Sequence, residues 1–299
     1  MSRKLVSLFL CLLLALSLTA VQAENQSATI TDMFGREIVL TEPVTRIVAL
    51  TASDCEILCA IGCEDMLVGR GAYCDYPPSI LEIPVVESGS ETNIEQILAL
   101  NPQVVLMSDM SQTKEQVSML EQNGVRVVVS NANDIGGTFT AIRIIGQVTG
   151  RTAEAEALIA DMQATFDGIA AKSEKAGRTV YFEVTPLQWG LWTAGSNTFM
   201  DELAAMCGLT NVFADVDGWA AVSEEQVLSR NPDVIISITG MGDSAVEEIM
   251  GRNGWAELSA VKSGSVFNAD SNAIARPGPR LKDAALELFG FISGSEDSE

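Results

Sequence analysis

The chain contains no histidine. That absence removes Ser-His-Asp and Cys-His nucleophilic centres and most catalytic zinc sites, which depend on imidazole. Neither a GxxxxGK[ST] phosphate loop nor a GxGxxG dinucleotide fingerprint occurs. An enzyme built on Asp, Glu, Lys or Tyr alone stays open. Basic residues are scarce: 18 Lys and Arg face 40 Asp and Glu, for a formal net charge of −22. Such a surface repels polyanions, so nucleic acid is not an expected partner. Beyond the N-terminus no apolar run is long enough to cross a bilayer. Five cysteines follow residue 23, an odd number that cannot all pair internally.

What is present begins with an export signal. Arg3 and Lys4 lead into LVSLFLCLLLALSLTAV, and Val21-Gln22-Ala23 ends in the small residue a signal peptidase reads. Residues 1–23 are therefore expected to be a cleaved signal peptide, with an uncleaved anchor as the alternative. Cys11 follows Phe9-Leu10, where a lipidation site wants small residues, so no lipid anchor is expected there. The mature protein is expected outside the cytoplasm, in the periplasm or its equivalent, as a monomer.

The chain then says one thing twice. TNIEQILALNPQVVL (92–106) matches AVSEEQVLSRNPDVII (221–236), with Glu95 aligned to Glu225, Gln96 to Gln226, and Asn101-Pro102 to Asn231-Pro232. Asn93 and Ser223 are good N-caps with Gln three positions later, a capping-box pattern. Each copy reads as cap, two-turn helix stopped by proline, turn, and buried parallel strand. Around these copies β-rich apolar runs alternate with helical stretches: RIVALTAS, DCEILCAIGC and VRVVVSN in the first half, RTVYFEV, FMDELAAMCG, EEIMGRNGWAEL and SVFNAD in the second. Residues 138–174 have few breakers and read as one long helix, or two joined near Gly150. The expected architecture is α/β: an N-terminal lobe (24–149) and a C-terminal lobe (177–293), each a mostly parallel sheet flanked by helices. A single backbone helix (150–176) joins them, and an acidic tail (294–299) follows.

The order of elements, the loop GAYCDYPP, both Glu-Gln-(Ile/Val)-Leu…Asn-Pro copies, TAGSNTFMDELAAMCGLTNVF and ARPGPR resemble the periplasmic substrate-binding proteins for ferric siderophores and vitamin B12. The similarity covers nearly the whole mature chain. It implies two lobes on a rigid helix, no catalysis, no cofactor, and a metal-chelate ligand held between the lobes. It also implies a role for the repeat: one glutamate per lobe, Glu95 and Glu225, docks into arginine pockets of an ABC permease. A carboxylate in the first turn of a helix is held by the local dipole and suits a bidentate Arg contact. Glu224 is adjacent, and the register favours Glu225.

The resemblance places Tyr73, Trp192, Trp219 and Arg276 where ligand is contacted, with Trp189 divided between ligand contact and core packing. Aromatic faces suit a large, partly apolar ligand, and Arg276 would answer carboxylate or phenolate oxygens. Arg280 at a helix start reads as structural, and Tyr76 as a brace for its loop. Residues 87–92, ESGSET, lack the aromatic that corrinoid binders often place there, which favours a ferric siderophore over cobalamin, and the missing histidine disfavours an axially ligated haem, though Tyr could still serve. A different class stays open: Cys55, Cys59 and Cys63 recur every four residues on one helix face. They are either small core residues or the soft-metal site of an exported metal-binding enzyme. A Cys63–Cys74 disulfide is possible. An adhesin that retains the fold without transport is a third reading.

Overall fold

The structure, a computed structural model, describes residues 28–89, 92–108, 114–173 and 177–294. The signal segment and residues 295–299 of the tail lie outside the described residues, as do 174–176 of the expected backbone helix. A hairpin of β1 (Ala28–Thr31) and β2 (Glu37–Leu40) opens the fold. The first lobe then builds on β3 (Ile47–Ala49), β4 (Leu67–Gly71), β5 (Val85–Val86), β6 (Val104–Met107) and β7 (Arg126–Val129). They form one sheet in the order β5-β4-β3-β6-β7, every neighbour parallel. Parallel strands are covered on both faces, which is why β3 and β6 are apolar and buried throughout. Helices α1 (Ala52–Ala60), α2 (Ile94–Ala99) and α3 (Lys114–Gln122) connect them.

The second lobe repeats the plan. Strands β8 (Thr179–Glu183), β10 (Thr210–Asn211), β12 (Val234–Ser237) and β13 (Val266–Asn268) make a parallel sheet in the order β10-β8-β12-β13. A ribbon of β9 (Leu191–Ala194) and β11 (Trp219–Val222) pairs antiparallel beside it. The ribbon was not foreseen, because its alternation is masked by small residues.

Between the lobes lie α4 (Ile135–Thr149) and α5 (Thr152–Lys172). Of the two forms expected for residues 138–174, the divided one occurs: Gly150 takes a left-handed φ of 70° and closes α4. The two helices then pack tightly, since a Cβ on Gly146 would stand 2.6 Å from the Ala155 Cβ. The remaining helices are α6 (Phe199–Met206), α7 (Glu224–Arg230), α8 (Ser244–Met250), α9 (Ser259–Ser263), α10 (Ser271–Ile274) and α11 (Leu281–Ser293). The stretch EEIMGRNGWAEL is not one helix. It stops at Met250, passes Gly254 at φ 83°, and turns through the 3₁₀ segment Trp255–Glu257. A helix that long would carry Trp255 out of the core in which it is buried.

Helix α5 packs on α4 and on α11, and one continuous apolar core joins residues of both lobes across it, including Ile145, Met162, Phe166, Leu203 and Leu288. The outer halves of the lobes keep separate cores, around Ile97 and Val105 in one and Phe213 and Trp255 in the other. A shared core around a 21-residue helix makes a stiff joint.

Candidate functional site

Ligands of open α/β sheets bind beyond the carboxyl ends of the strands. Here those ends converge on a cleft of about 440 Å³ between the lobes. Its first-lobe wall is polar: Thr51, Ser53 and Asp54 follow β3, Ser108 follows β6, and Ser130 and Asn131 follow β7. Its second-lobe wall is apolar, built from Phe199, Trp219, Ala275 and Pro277. A site with an apolar wall and a few convergent polar groups has the ordinary make-up of a small-molecule pocket.

Asp54 lines the cleft and is buried. Thr51 Oγ1 donates to its Oδ2 and Ser130 Oγ to its Oδ1, both at 2.5 Å. Burial pushes its pKa up from 3.8 to about 6, against the opposing pull of the Ser130 and Thr51 hydroxyls. The sign follows from linkage: the folded state holds the proton more tightly than the unfolded chain. Its contribution to stability is therefore fully present below pH 4 and lost as pH rises through 6. We expect the ligand-free protein to unfold less readily at pH 5 than at pH 8 relative to Asp54→Asn, by on the order of 1–3 kcal/mol. Denaturant melts of both proteins at the two pH values check this, and parallel pH profiles would refute it.

The expected ligand residues occupy different places. Trp219 lines the cleft, 38% exposed, its ring 5.6 Å from that of Phe199 and tilted 59°. Trp192 stands opposite Ala221, and Trp219 opposite Ala194, so both indoles sit on the same face of the ribbon. Trp192 is 43% exposed and lies outside the cleft lining. Tyr73 and Trp189 are 83% and 75% exposed and reach none of the cleft.

Arg276 sits between the cleft residues Ala275 and Pro277, but its guanidinium is occupied. Nη1 donates to Asp75 Oδ1 at 2.6 Å and Glu56 Oε1 at 3.2 Å, and Nη2 to Asn272 Oδ1 at 2.9 Å. Arg280 donates from Nε and Nη2 to the same buried Glu56, at 2.9 and 2.7 Å, and lies 4.2 Å over the Tyr76 ring. Two second-lobe arginines thus clamp one first-lobe carboxylate.

The repeat resolves into unlike caps. In the second copy Ser223 Oγ accepts from the Gln226 amide at 3.3 Å and Gln226 Oε1 accepts from the Ser223 amide at 2.9 Å, a complete capping box. In the first, Asn93 Oδ1 accepts from the Gln96 amide at 3.0 Å, but Gln96 Oε1 accepts from the Glu87 amide. The box expected there does not close because the Asn93 amide already donates to the Glu87 carbonyl. Asn101 and Asn231 end the helices at φ 50° and 44°, a left-handed conformation that asparagine tolerates. Glu95 and Glu225 are both exposed in the first turn. The preceding residues turn inward: Ile94 is buried, and Glu224 Oε2 accepts from Trp255 Nε1 at 2.9 Å. The Glu225 carboxyl is held below its usual range by its own backbone amide and then by Ser223.

A family model described as periplasmic binding protein matches residues 47–273. The chain belongs to that family. The uncharacterized ABC transporter substrate-binding lipoprotein YvrC of Bacillus subtilis is 30% identical over 271 residues, 88% of this chain and 85% of its own. The vitamin B12-binding protein of Vibrio parahaemolyticus is 27% identical over 85% of this chain and 92% of its own. The crystal structure of a possible iron-binding periplasmic solute-binding protein from Staphylococcus epidermidis is 28% identical, with a TM-score of 0.73 over 84% of this chain and 99% of that one. As a periplasmic binding protein the chain is of the ABC-transporter substrate-binding type, and its family is not one of enzymes. No helix among the described residues is long and apolar enough to cross a membrane.

Of the two readings of the cysteine face, the packing is that of small core residues at Cys55 and Cys63. Cys55 and Cys63 are buried and face backbone carbonyls, and among the described residues no group of three His, Cys, Asp or Glu can hold a metal ion. Burial pushes the Cys59 thiol up to about 12, as for a thiol packed among other side chains. Cys74 lies by Cys55 rather than Cys63: both sulfurs face the Ala49 carbonyl at 3.8 Å, and all five thiols are free. The polar residues Thr51, Asp54, Ser130 and Asn131, and Phe199 opposite, were not anticipated. Their signal was position alone, immediately after apolar strands or at a helix start.

Proposed function

We propose that this periplasmic binding protein captures a ferric siderophore between its lobes outside the cytoplasm and delivers it, as a monomer, to the permease of an ABC uptake transporter. The observation that carries the proposal is the interlobe cleft with an indole wall facing a hydroxyl and carboxamide wall. A metal chelate of this kind presents both an apolar periphery and polar metal-binding groups. Trp219 contacts the ligand directly, Trp192 extends the same ribbon face, and Tyr73 and Trp189 serve as a rim for parts of the ligand that leave the cleft. Arg276 acts from beside the cleft, by fixing the segment that carries Ala275 and Pro277. Glu95 and Glu225 are the permease contacts. The missing aromatic in residues 87–92 supports siderophore over corrinoid. A corrinoid is the second reading, favoured by the relative named as a vitamin B12-binding protein.

Intrinsic tryptophan fluorescence tests the proposal. Titration with ferric siderophores, cobalamin and haem is expected to give saturable quenching by one class. Trp219→Ala should weaken that ligand roughly 10- to 100-fold, the range for removing a central aromatic contact. Unchanged affinity in the variant removes Trp219 from the site, and silence from every chelate removes the proposal.

A further inference from the structure

We propose that Asp54 sets the charge of the ligand: the cleft accepts a metal chelate without net negative charge that offers an N–H, O–H or cationic group to this carboxylate. The inference rests on the uptake reading above and goes beyond it by naming the chemical class. Three observations converge. Among the described residues lining the cleft, Asp54 is the only charged side chain, and no Lys or Arg faces it. Arg276, between the cleft residues Ala275 and Pro277, is already compensated by Glu56 and Asp75, and Arg280 by Glu56 with Asp270 at 3.6 Å. Each Asp54 oxygen takes one hydroxyl, from Ser130 or Thr51, and a carboxylate oxygen has room for a second donor.

An anionic chelate entering this cleft would lose water and meet a carboxylate with no cation to answer it. The low local dielectric strengthens that repulsion. The field of a chain with net charge −22 acts in the same direction at longer range. A ligand with amide or hydroxyl donors, or a positive charge, instead completes the hydrogen bonding of Asp54.

Four probes of known charge test this on the whole mature protein. A neutral ferric trihydroxamate and cyanocobalamin stand on one side, and a triply anionic ferric tris-catecholate and haem, with its two carboxylates, on the other. Wild type is expected to bind a probe of the first pair at least 100-fold more tightly than either of the second. Asp54→Asn, of equal size, should narrow that gap at least 10-fold by improving the anions. In wild type alone, added salt should strengthen whatever residual anion binding exists, a reading independent of how well the variant folds. Preference for the tris-catecholate or haem overturns the inference and leaves the uptake reading standing. A gap unchanged in Asp54→Asn, with the variant folded by circular dichroism, overturns the role of Asp54. Binding of none of the four overturns both.

Discussion

Glu95→Ala combined with Glu225→Ala is expected to abolish uptake while leaving the affinity of the purified protein within twofold of wild type. Neither residue lines the cleft, and both are exposed in the first turn of matched helices. Removing one partner of a desolvated charge pair costs about 2–5 kcal/mol at an interface, so losing both contacts weakens docking by roughly three orders of magnitude or more. The side-chain directions make Glu224 the internal control. Its carboxylate accepts from Trp255 Nε1, so Glu224→Ala should cost about 1 kcal/mol of stability and spare transport. Ligand uptake by cells carrying each variant in place of the natural chain, measured beside fluorescence titration, separates these outcomes. Persistent uptake in the double variant, or lost affinity, would sink the docking assignment.

The same residues show how far sequence reaches. The repeat was legible because Asn-Pro after a short apolar helix is local chemistry: asparagine accepts the left-handed turn at φ 50° or 44° and proline prevents continuation. Parallel sheets were legible because strands buried on both faces read as unbroken apolar runs. Gly150 was legible as a joint for the same local reason. The cleft was harder, because its chemistry depends on pairs of residues distant in sequence. Arg276 reads as a ligand-binding cation until Glu56 and Asp75, some 200 positions away, are seen to compensate it. Asp54 reads as an ordinary helix-start acid until Ser130 is found on its Oδ1. Trp219 is marked by its aromatic character, whereas Phe199 against it resembles any core phenylalanine. Local propensity survives folding, and partnership between lobes is created by it.

Glu56→Ala is expected to destabilise the protein by about 3–5 kcal/mol, the cost of breaking a buried ion pair by removing one member. Glu56 is buried in the middle of α1 and accepts three hydrogen bonds from the second lobe, two from Arg280 and one from Arg276. The second lobe meets it in ordinary contact, since a Cβ on Gly278 would stand 3.6 Å from the Ser53 Cα and 3.7 Å from Glu56 Oε2. Without Glu56, Arg276 keeps Asp75, whereas Arg280 keeps only Asp270 at 3.6 Å and the face of Tyr76. Arg280→Ala should therefore cost less in the Glu56→Ala background than alone, and a double-mutant cycle in denaturant reads that coupling directly. A cost near 1 kcal/mol for Glu56→Ala would mean that the apolar core around α5 holds the lobes unaided. A cost in the expected range makes the clamp a second fastening at the cleft edge. It would fix the segment between Ala275 and Arg280 and keep both arginines from answering an anion.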